Sequence, residues 1–239
     1  MSKLYRVGVL FKQFGVVNAI GFMISETIRT LFDSYATPSY SQTGEDRIIR
    51  SILGNSKGFY VDVGCNHPLS LSNTFELYKR GWVGINIDAN SALISKYTKR
   101  RPKDKSICAA VSSKEEEAIF TQFDDDAVSS LCSQHVATWE KERVIVSQKT
   151  VKTLTLDRIL KSYEAPHAFD LLTIDAEGHD FEVLSSINLS IYKPKLIVIE
   201  MHGFEILNPN ENKIYQYLSA NSYKMVGFII MNGFFVRQS

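Results

Sequence analysis

Residues 59–68, Phe-Tyr-Val-Asp-Val-Gly-Cys-Asn-His-Pro, set the strongest limit on what this chain can fold into. The apolar run from Phe59 to Val63 reads as a buried parallel strand that stops abruptly on Gly64. Glycine permits a sharp turn there and leaves no Cβ in the way of a ligand. In open α/β sheets, ligands sit just beyond the carboxyl ends of such strands. The remainder of the chain then reads as further strands arriving at the same edge.

At 239 residues and 44% hydrophobic content, the chain can bury the core of one domain of about 200 residues plus an extension. Its 27 basic and 26 acidic residues leave a net charge of +1, which supplies no global field for nucleic acid. Cys65, Cys108 and Cys132 lack metal-ligand or redox spacing and suit neutral thiols in a reducing compartment. No apolar stretch is clean enough to cross a bilayer, and no signal-peptide cleavage pattern occurs. A cytoplasmic location is the expectation.

Residues 1–40 are expected to form a helical extension and residues 41–239 the main domain, with Thr37-Pro38-Ser39 at the boundary. Leu4, Val7, Leu10, Phe11, Phe14 and Val17 recur at helical spacing, with Lys3, Arg6 and Lys12 among them. Such a helix serves either a membrane surface or packing on the domain or on a second copy. Both self-association and membrane-surface contact through residues 1–40 therefore stay open, and packing is the more ordinary use.

In the main domain, residues 45–53, Phe75–Arg80 and Ser91–Lys99 read as helices, the first of them acidic at its start. Strands are expected at Val83–Ile87, Ser106–Val111, Phe169–Ile174 and Leu196–Ile199. Residues 112–150 read as polar and irregular, and 143–156 as one or two strands. A helix over Pro209–Leu218 precedes strands near Tyr223–Ile230 and Gly233–Arg237, with Asn232-Gly233 as the hairpin turn. The sum is an α/β fold: a doubly wound, mostly parallel seven-stranded sheet with a C-terminal antiparallel hairpin.

Acids mark the edge of that sheet. Asp62 lies within the first strand, while Asp88, Asp175 and Glu200 end later ones. One acid at a strand end is noise, but a converging set reads as a site. Asp88 lies 24 residues past Gly64 and suits ribose hydroxyls. Ser70–Thr74 open a helix whose free N–H groups favour an anionic group. Asp175, Glu177 and His179 emerge together after the fourth strand as candidate proton acceptors, with His202 an outside candidate. Asp124–Asp126 read as a solvated turn, since consecutive residues rarely point at one ion.

The wording of these blocks resembles the FkbM family of class I S-adenosylmethionine-dependent methyltransferases. The carrying residues are Ser41-Gln42-x-Gly44-Glu45-Asp46, Val61-Asp62-Val63-Gly64-x-Asn66-His67-Pro68 and Ser72-Asn73-Thr74. They continue with Gly81-Trp82-x-Gly84-Ile85-Asn86-Ile87-Asp88 and Ile174-Asp175-x-Glu177-Gly178-His179. The resemblance covers roughly residues 41–237, and five blocks in order are more specific than any one. It implies transfer of the methyl group of S-adenosyl-L-methionine to a hydroxyl of a sugar, glycan or polyketide-like acceptor. It further implies that the Gly64 turn cradles the methionine part, with Asn66, Ser72 and Asn73 near its carboxylate. Asp88 would hold the ribose and Ala110-Val111 flank adenine, while Glu45 and Asp62 join the cofactor-binding set.

Asp175 is the first choice for base or acceptor orienter, then Glu177, then His179. Asp175, Glu177 and Glu200 could supply the hard oxygen ligands magnesium prefers, but no spacing requires an ion and magnesium is the less favoured reading. A nicotinamide-linked oxidoreductase would want Gly-x-Gly-x-x-Gly where only Gly64 stands. A nucleic-acid methyltransferase would want a basic stripe, which the chain lacks. A non-catalytic cofactor-binding module of the same fold is the remaining alternative.

Overall fold

The computed structural model describes residues 3–32, 38–54 and 56–238. Contacts divide the chain into two compact units, Met1–Ser39 and Tyr40–Ser239. In the first, the helix α1 (Lys3–Phe32) is interrupted at Gly15, whose backbone (φ 72°, ψ 164°) is not helical. Among the described residues no helix is long and apolar enough to cross a membrane.

The second unit opens with α2 (Glu45–Leu53), β1 (Phe59–Val63), α3 (Phe75–Lys79), β2 (Val83–Asp88), α4 (Ser91–Arg100), β3 (Lys105–Cys108) and β4 (Ala110–Val111). Next come β5 (Glu117–Phe123), α5 (Ser133–Trp139), β6 (Ile145–Leu154), α6 (Leu156–Ser162), β7 (Ala168–Ile174) and α7 (Asp180–Ser185). The unit closes with β8 (Lys193–Glu200), α8 (Lys213–Ala220), β9 (Tyr223–Ile229) and β10 (Asn232–Arg237). Seven strands form the expected sheet, in the order β3-β2-β1-β7-β8-β10-β9, and β10 runs antiparallel to both of its neighbours. The order reverses direction between β1 and β7, where a doubly wound sheet opens its ligand crevice.

Both faces of the sheet are buried, and the strands divide their residues between them with period two. Val61, Val63, Leu172, Ile174, Ile197 and Ile199 join one core with α6, α7 and α8 residues such as Leu160, Leu184 and Leu218. Tyr60, Leu171, Leu196 and Val198 point the other way and pack with Ile49, Leu77 and Trp82. Gly84 is required by this second layer, because a Cβ there would lie 2.3 Å from the Tyr60 ring.

Four expectations need correction. The strand over Ser106–Val111 is two strands: β3 stays in the main sheet, whereas β4 leaves it to pair with β6. The Ala109 N–H to Asp88 carbonyl bond (3.0 Å) is the last tie to β2, which ends there. Residues 112–150 are also ordered, as a β5–β6 hairpin with α5 between its strands. β6 falls within the 143–156 stretch expected to be strand, although most of it is exposed, whereas β5 and α5 were not expected. The final hairpin turns at Ile230-Met231, because Ile229 already pairs with Asn232. Gly233 lies inside β10, where a Cβ would meet Met201 Sδ at 2.5 Å. Lastly, the helix expected from Pro209 begins with a short 3₁₀ turn (Pro209–Glu211) and becomes α-helical only at Lys213, where Asn212 caps it.

A fully buried cation, Arg101, fixes the loop that follows β1. Its Nε donates to the Pro68 carbonyl (2.7 Å), Nη2 to Ser72 Oγ (2.7 Å) and Nη1 to Thr74 Oγ1 (2.9 Å). Thr74 Oγ1 in turn donates to Asp62 (2.6 Å), and Asp104 lies 4.0 Å from Nη1. The rings of Phe75, Tyr78 and Tyr97 surround the guanidinium. Replacing Arg101 with Met would strand these buried acceptors and acids. Urea unfolding of Arg101→Met should show a loss of about 3–5 kcal/mol. The exposed Arg158–Glu115 pair provides the contrast, since Arg158→Ala should cost no more than about 1 kcal/mol.

Candidate active site

The tips of β1 and β7 meet at one point. The Asp175 N–H donates to the Val63 carbonyl (3.0 Å), and the Gly64 N–H donates to the Ile87 carbonyl (2.9 Å). Gly64 has φ 74°, and a Cβ on it would stand 1.6 Å from the Asp175 carbonyl oxygen. Glycine is needed here because two turns touch, in addition to any room it leaves for a ligand. Beyond this contact lies a cleft of about 810 Å³, partly open to solvent.

One wall of the cleft belongs to β2 and the segments after it. Asp88 accepts from the backbone N–H groups of Asn66 (3.0 Å) and Asn90 (2.8 Å), so its carboxylate is fixed in place at the floor. Burial pushes its pKa up to about 6, against the two backbone bonds that favour the ionised form. Asn66 holds φ 47°, a left-handed turn that Asn tolerates better than most residues. Ala109, Ala110, Val111 and Phe120 add an apolar slot. Asn90 is held from behind by Asp126, which accepts from its amide (2.9 Å).

The opposite wall is acidic. Asp175, Glu177 and His179 line it together, and the Glu177-Gly178 turn has positive φ at both residues (51° and 86°). His179 Nε2 sits 3.0 Å from Ser112 Oγ, and burial lowers its pKa, keeping the ring neutral. Asp180 accepts from the Ala176 and Gly178 N–H groups (2.7 and 3.0 Å), which shapes the turn. Burial first, then the neighbouring Glu200, pushes Glu177 up to about 8 and Asp180 up to about 7. Burial and the same carboxylates, Glu200 foremost, raise Asp175 well above the ordinary carboxylate range. Among the described residues no lysine or arginine forms an ion pair with Asp175, Glu177, Asp180 or Glu200.

Of the residues expected at the site, Gly64, Asn66, Asp88, Ala110, Val111, Asp175, Glu177 and His179 line this cleft. Glu45, Asp62, Ser72 and Asn73 do not. Glu45 accepts from the Thr43 N–H (2.9 Å) and the Asn232 amide (3.1 Å), tying the start of α2 to β10. Asp62 and Ser72 belong to the Arg101 network, and Asn73 donates to Thr173 Oγ1 on β7 (3.2 Å). All four brace the backbone beneath the cleft. The sequence reading missed Asn90, Ser112, Phe120, Asp126 and His135. Most of these belong to the stretch judged irregular, and a hairpin with one wet face leaves little signal in a single sequence.

The sequence model described as Methyltransferase FkbM domain matches residues 62–225, more than half of the chain. Among solved structures, a methyltransferase FkbM from Methylobacillus flagellatus KT is similar at 12% identity and a TM-score of 0.47, covering 75% of this chain. The present chain spans only 43% of that protein. A TehB-like SAM-dependent methyltransferase from Corynebacterium glutamicum matches at 13% identity and TM-score 0.44, covering 92% of this chain and 100% of its own. A ribosomal protein L11 methylase from Lactobacillus delbrueckii subsp. bulgaricus matches at 11% and 0.41, covering 82% and 78% respectively. No curated protein matches the chain.

The raised pKa of Asp88 has a definite consequence for stability. Its folded value lies above that of an unfolded aspartate, so the folded state binds the extra proton between about pH 4 and about pH 6. Its contribution is therefore fully present below that window and lost as pH rises through about 6. Relative to Asp88→Asn, the wild-type chain should lose stability steadily from pH 4.5 to pH 7. Paired urea titrations across that range measure the difference, and a flat difference would contradict the assignment.

Proposed function

The chain belongs to the FkbM family of methyltransferases, and from that premise we propose that it transfers a methyl group from S-adenosyl-L-methionine to a hydroxyl oxygen of a sugar, glycan or polyketide-like acceptor. The observation that carries this reading is the two-sided cleft: a fixed acid and an apolar slot on one wall, and unneutralised carboxylates on the other. Asp88 would hold the ribose hydroxyls, since each of its oxygens keeps a lone pair beyond the backbone bond it accepts. Ala110, Val111 and Phe120 would flank the purine, and the backbone at Gly64 and Asn66 would border the amino-acid end. When bound, S-adenosylmethionine supplies an electrophilic methyl group on a sulfonium centre.

What the chain itself must do is position an acceptor and take its proton. An alcohol is a weak nucleophile at neutral pH and gains from a base as the new bond forms. Asp175 lies on the shared edge of both walls, and burial among carboxylates makes it a stronger base than a solvated aspartate. Glu177 and neutral His179 border the same space and can orient a hydroxyl by hydrogen bonding. Carboxyls held above their ordinary range carry protons near neutral pH and can then donate to a hydroxyl oxygen, which suits a polyol acceptor.

Two substitutions separate the walls. Calorimetry should show Asp88→Ala binding S-adenosylmethionine at least about tenfold more weakly, as expected for a lost pair of ribose hydrogen bonds. Asp175→Ala should bind it normally yet lose roughly 10²–10⁴ in turnover with a matched polyol acceptor, the usual worth of a general base. Normal cofactor binding by Asp88→Ala, or normal turnover by Asp175→Ala, would overturn the corresponding half.

A further inference from the structure

Behind the acidic wall, side chains from three segments converge, and one of them, His135, is left with a buried Nε2 that no partner satisfies. His135 comes from α5, Glu177 from the turn after β7, and Glu200 with His202 from the end of β8. The ligand atoms of His135, Glu177 and His202 all lie within 4.8 Å of one another. His135 Nε2 is 3.4 Å from Glu177 Oε2, and His202 Nε2 is 2.9 Å from Glu200 Oε2. His135 Nε2 is buried without a hydrogen-bond partner, whereas Glu200 Oε2 is engaged by His202 as an ion pair. The His135 side chain is only 8% exposed and that of Glu200 only 6%, so water does not readily take the place of a partner. Buried polar atoms left open in this way are uncommon and call for a specific explanation.

We propose that His135, Glu177 and His202 bind one first-row divalent metal ion, of the zinc or manganese class, at the junction between the cleft and the cavity behind it, with Glu200 beside His202 as a neighbouring carboxylate. Metal–ligand bonds of about 2.1 Å place neighbouring ligand atoms about 3.0–3.4 Å apart, which matches the 3.4 Å separation of His135 Nε2 and Glu177 Oε2. The imidazole of His135 also engages the Val128 backbone by a hydrogen bond, the kind of outer contact that fixes a histidine ligand's orientation. Gly178 makes the approach feasible, because a Cβ there would already press on His135 Cβ at 3.3 Å. The second cavity is lined by Glu200, His202, Gly178 and Asp180, whereas Glu177 lines the cleft. An ion held between them would have one side open to a ligand from either space.

The site does not rest on methyl transfer, and its test contains no cofactor. The full chain, stripped with a chelator and dialysed, is titrated calorimetrically with zinc, and separately with magnesium. One zinc ion per chain is expected, with magnesium binding far more weakly. His135→Ala and His202→Ala should each weaken zinc at least about tenfold, since even outer-shell losses cost about 10–100-fold. Glu205→Gln, on the rim of the second cavity, should bind as the wild type does. Cobalt titration gives a second readout, because its visible spectrum reports nitrogen ligands directly and should change in His135→Gln. Circular dichroism confirms that each variant is folded. Absence of saturable zinc binding, or binding that both histidine variants and the cobalt spectrum leave unchanged, overturns the proposal. Zinc binding with no methyl transfer would leave the site standing and remove the functional reading instead.

Discussion

The contact between Gly64 and the Asp175 carbonyl holds the site together. The oxygen occupies the place where any other residue would carry its Cβ, 1.6 Å away. The β1 and β7 tips therefore close directly on one another, and the Val63–Asp175 backbone bond extends the sheet to its last residue. Those two tips carry different chemistry. The β1 turn leads to Asn66 and so to Asp88, while the β7 turn leads to Asp175 and Glu177. Any side chain at position 64 would drive the turns apart and separate the Asp88 wall of the cleft from the acidic wall. A wrong φ would add to that cost, since Gly64 lies in the left-handed region.

Two groups of buried acids lie close to this contact, and the fold treats them oppositely. Asp62 and Asp104 share the neighbourhood of Arg101, and Asp104 further accepts from the Gly84 N–H and the Asn86 amide. Such a group is a finished structural network, with hydrogen bonds completing its charges. Asp175, Glu177, Asp180 and Glu200 have no arginine or lysine ion-pair partner among the described residues, and one of their oxygens is left open. Leaving buried carboxylates in that state is expensive, and proteins retain such arrangements where chemistry uses them. The contrast within a single unit separates acids completed by hydrogen bonds from acids left without a cationic lysine or arginine partner.

The sequence carried this distinction only in part. Strands read correctly wherever both faces are buried, as at Phe59–Val63 and Phe169–Ile174, since an unbroken apolar run ending in Gly or acid has few other uses. Asp88, Asp175, Glu177 and His179 were legible because strand ends place them at one edge. Asp62 and Ser72 do not line the cleft because of one tertiary fact absent from local spacing, that Arg101 folds back beneath them. Their partner lies 29 residues beyond Ser72 and follows a helix, a pairing that local spacing does not encode. The Asn232-Gly233 pair carried a turn signal, yet β8 pairs with those residues through Glu200 and Ile199, and Glu45 of α2 accepts from Asn232. Local turn chemistry lost to packing there.

The β5–β6 insertion follows a different logic from the sheet. It adds little to the main core, and most of β6 faces water. It is nevertheless anchored where function would need it: Ser130 Oγ donates to the Glu177 carbonyl (2.7 Å), and Asp126 grips Asn90. One contact steadies the acidic turn and the other steadies the wall beside Asp88. The insertion thus spans both halves of the cleft and delivers His135 against Glu177. Changes to its exposed face would leave the sheet untouched while moving groups that border the acceptor space. A parallel sheet fixes the strand tips and cannot easily be altered, so variation in what this chain accepts is most readily made in the hairpin that lies across them.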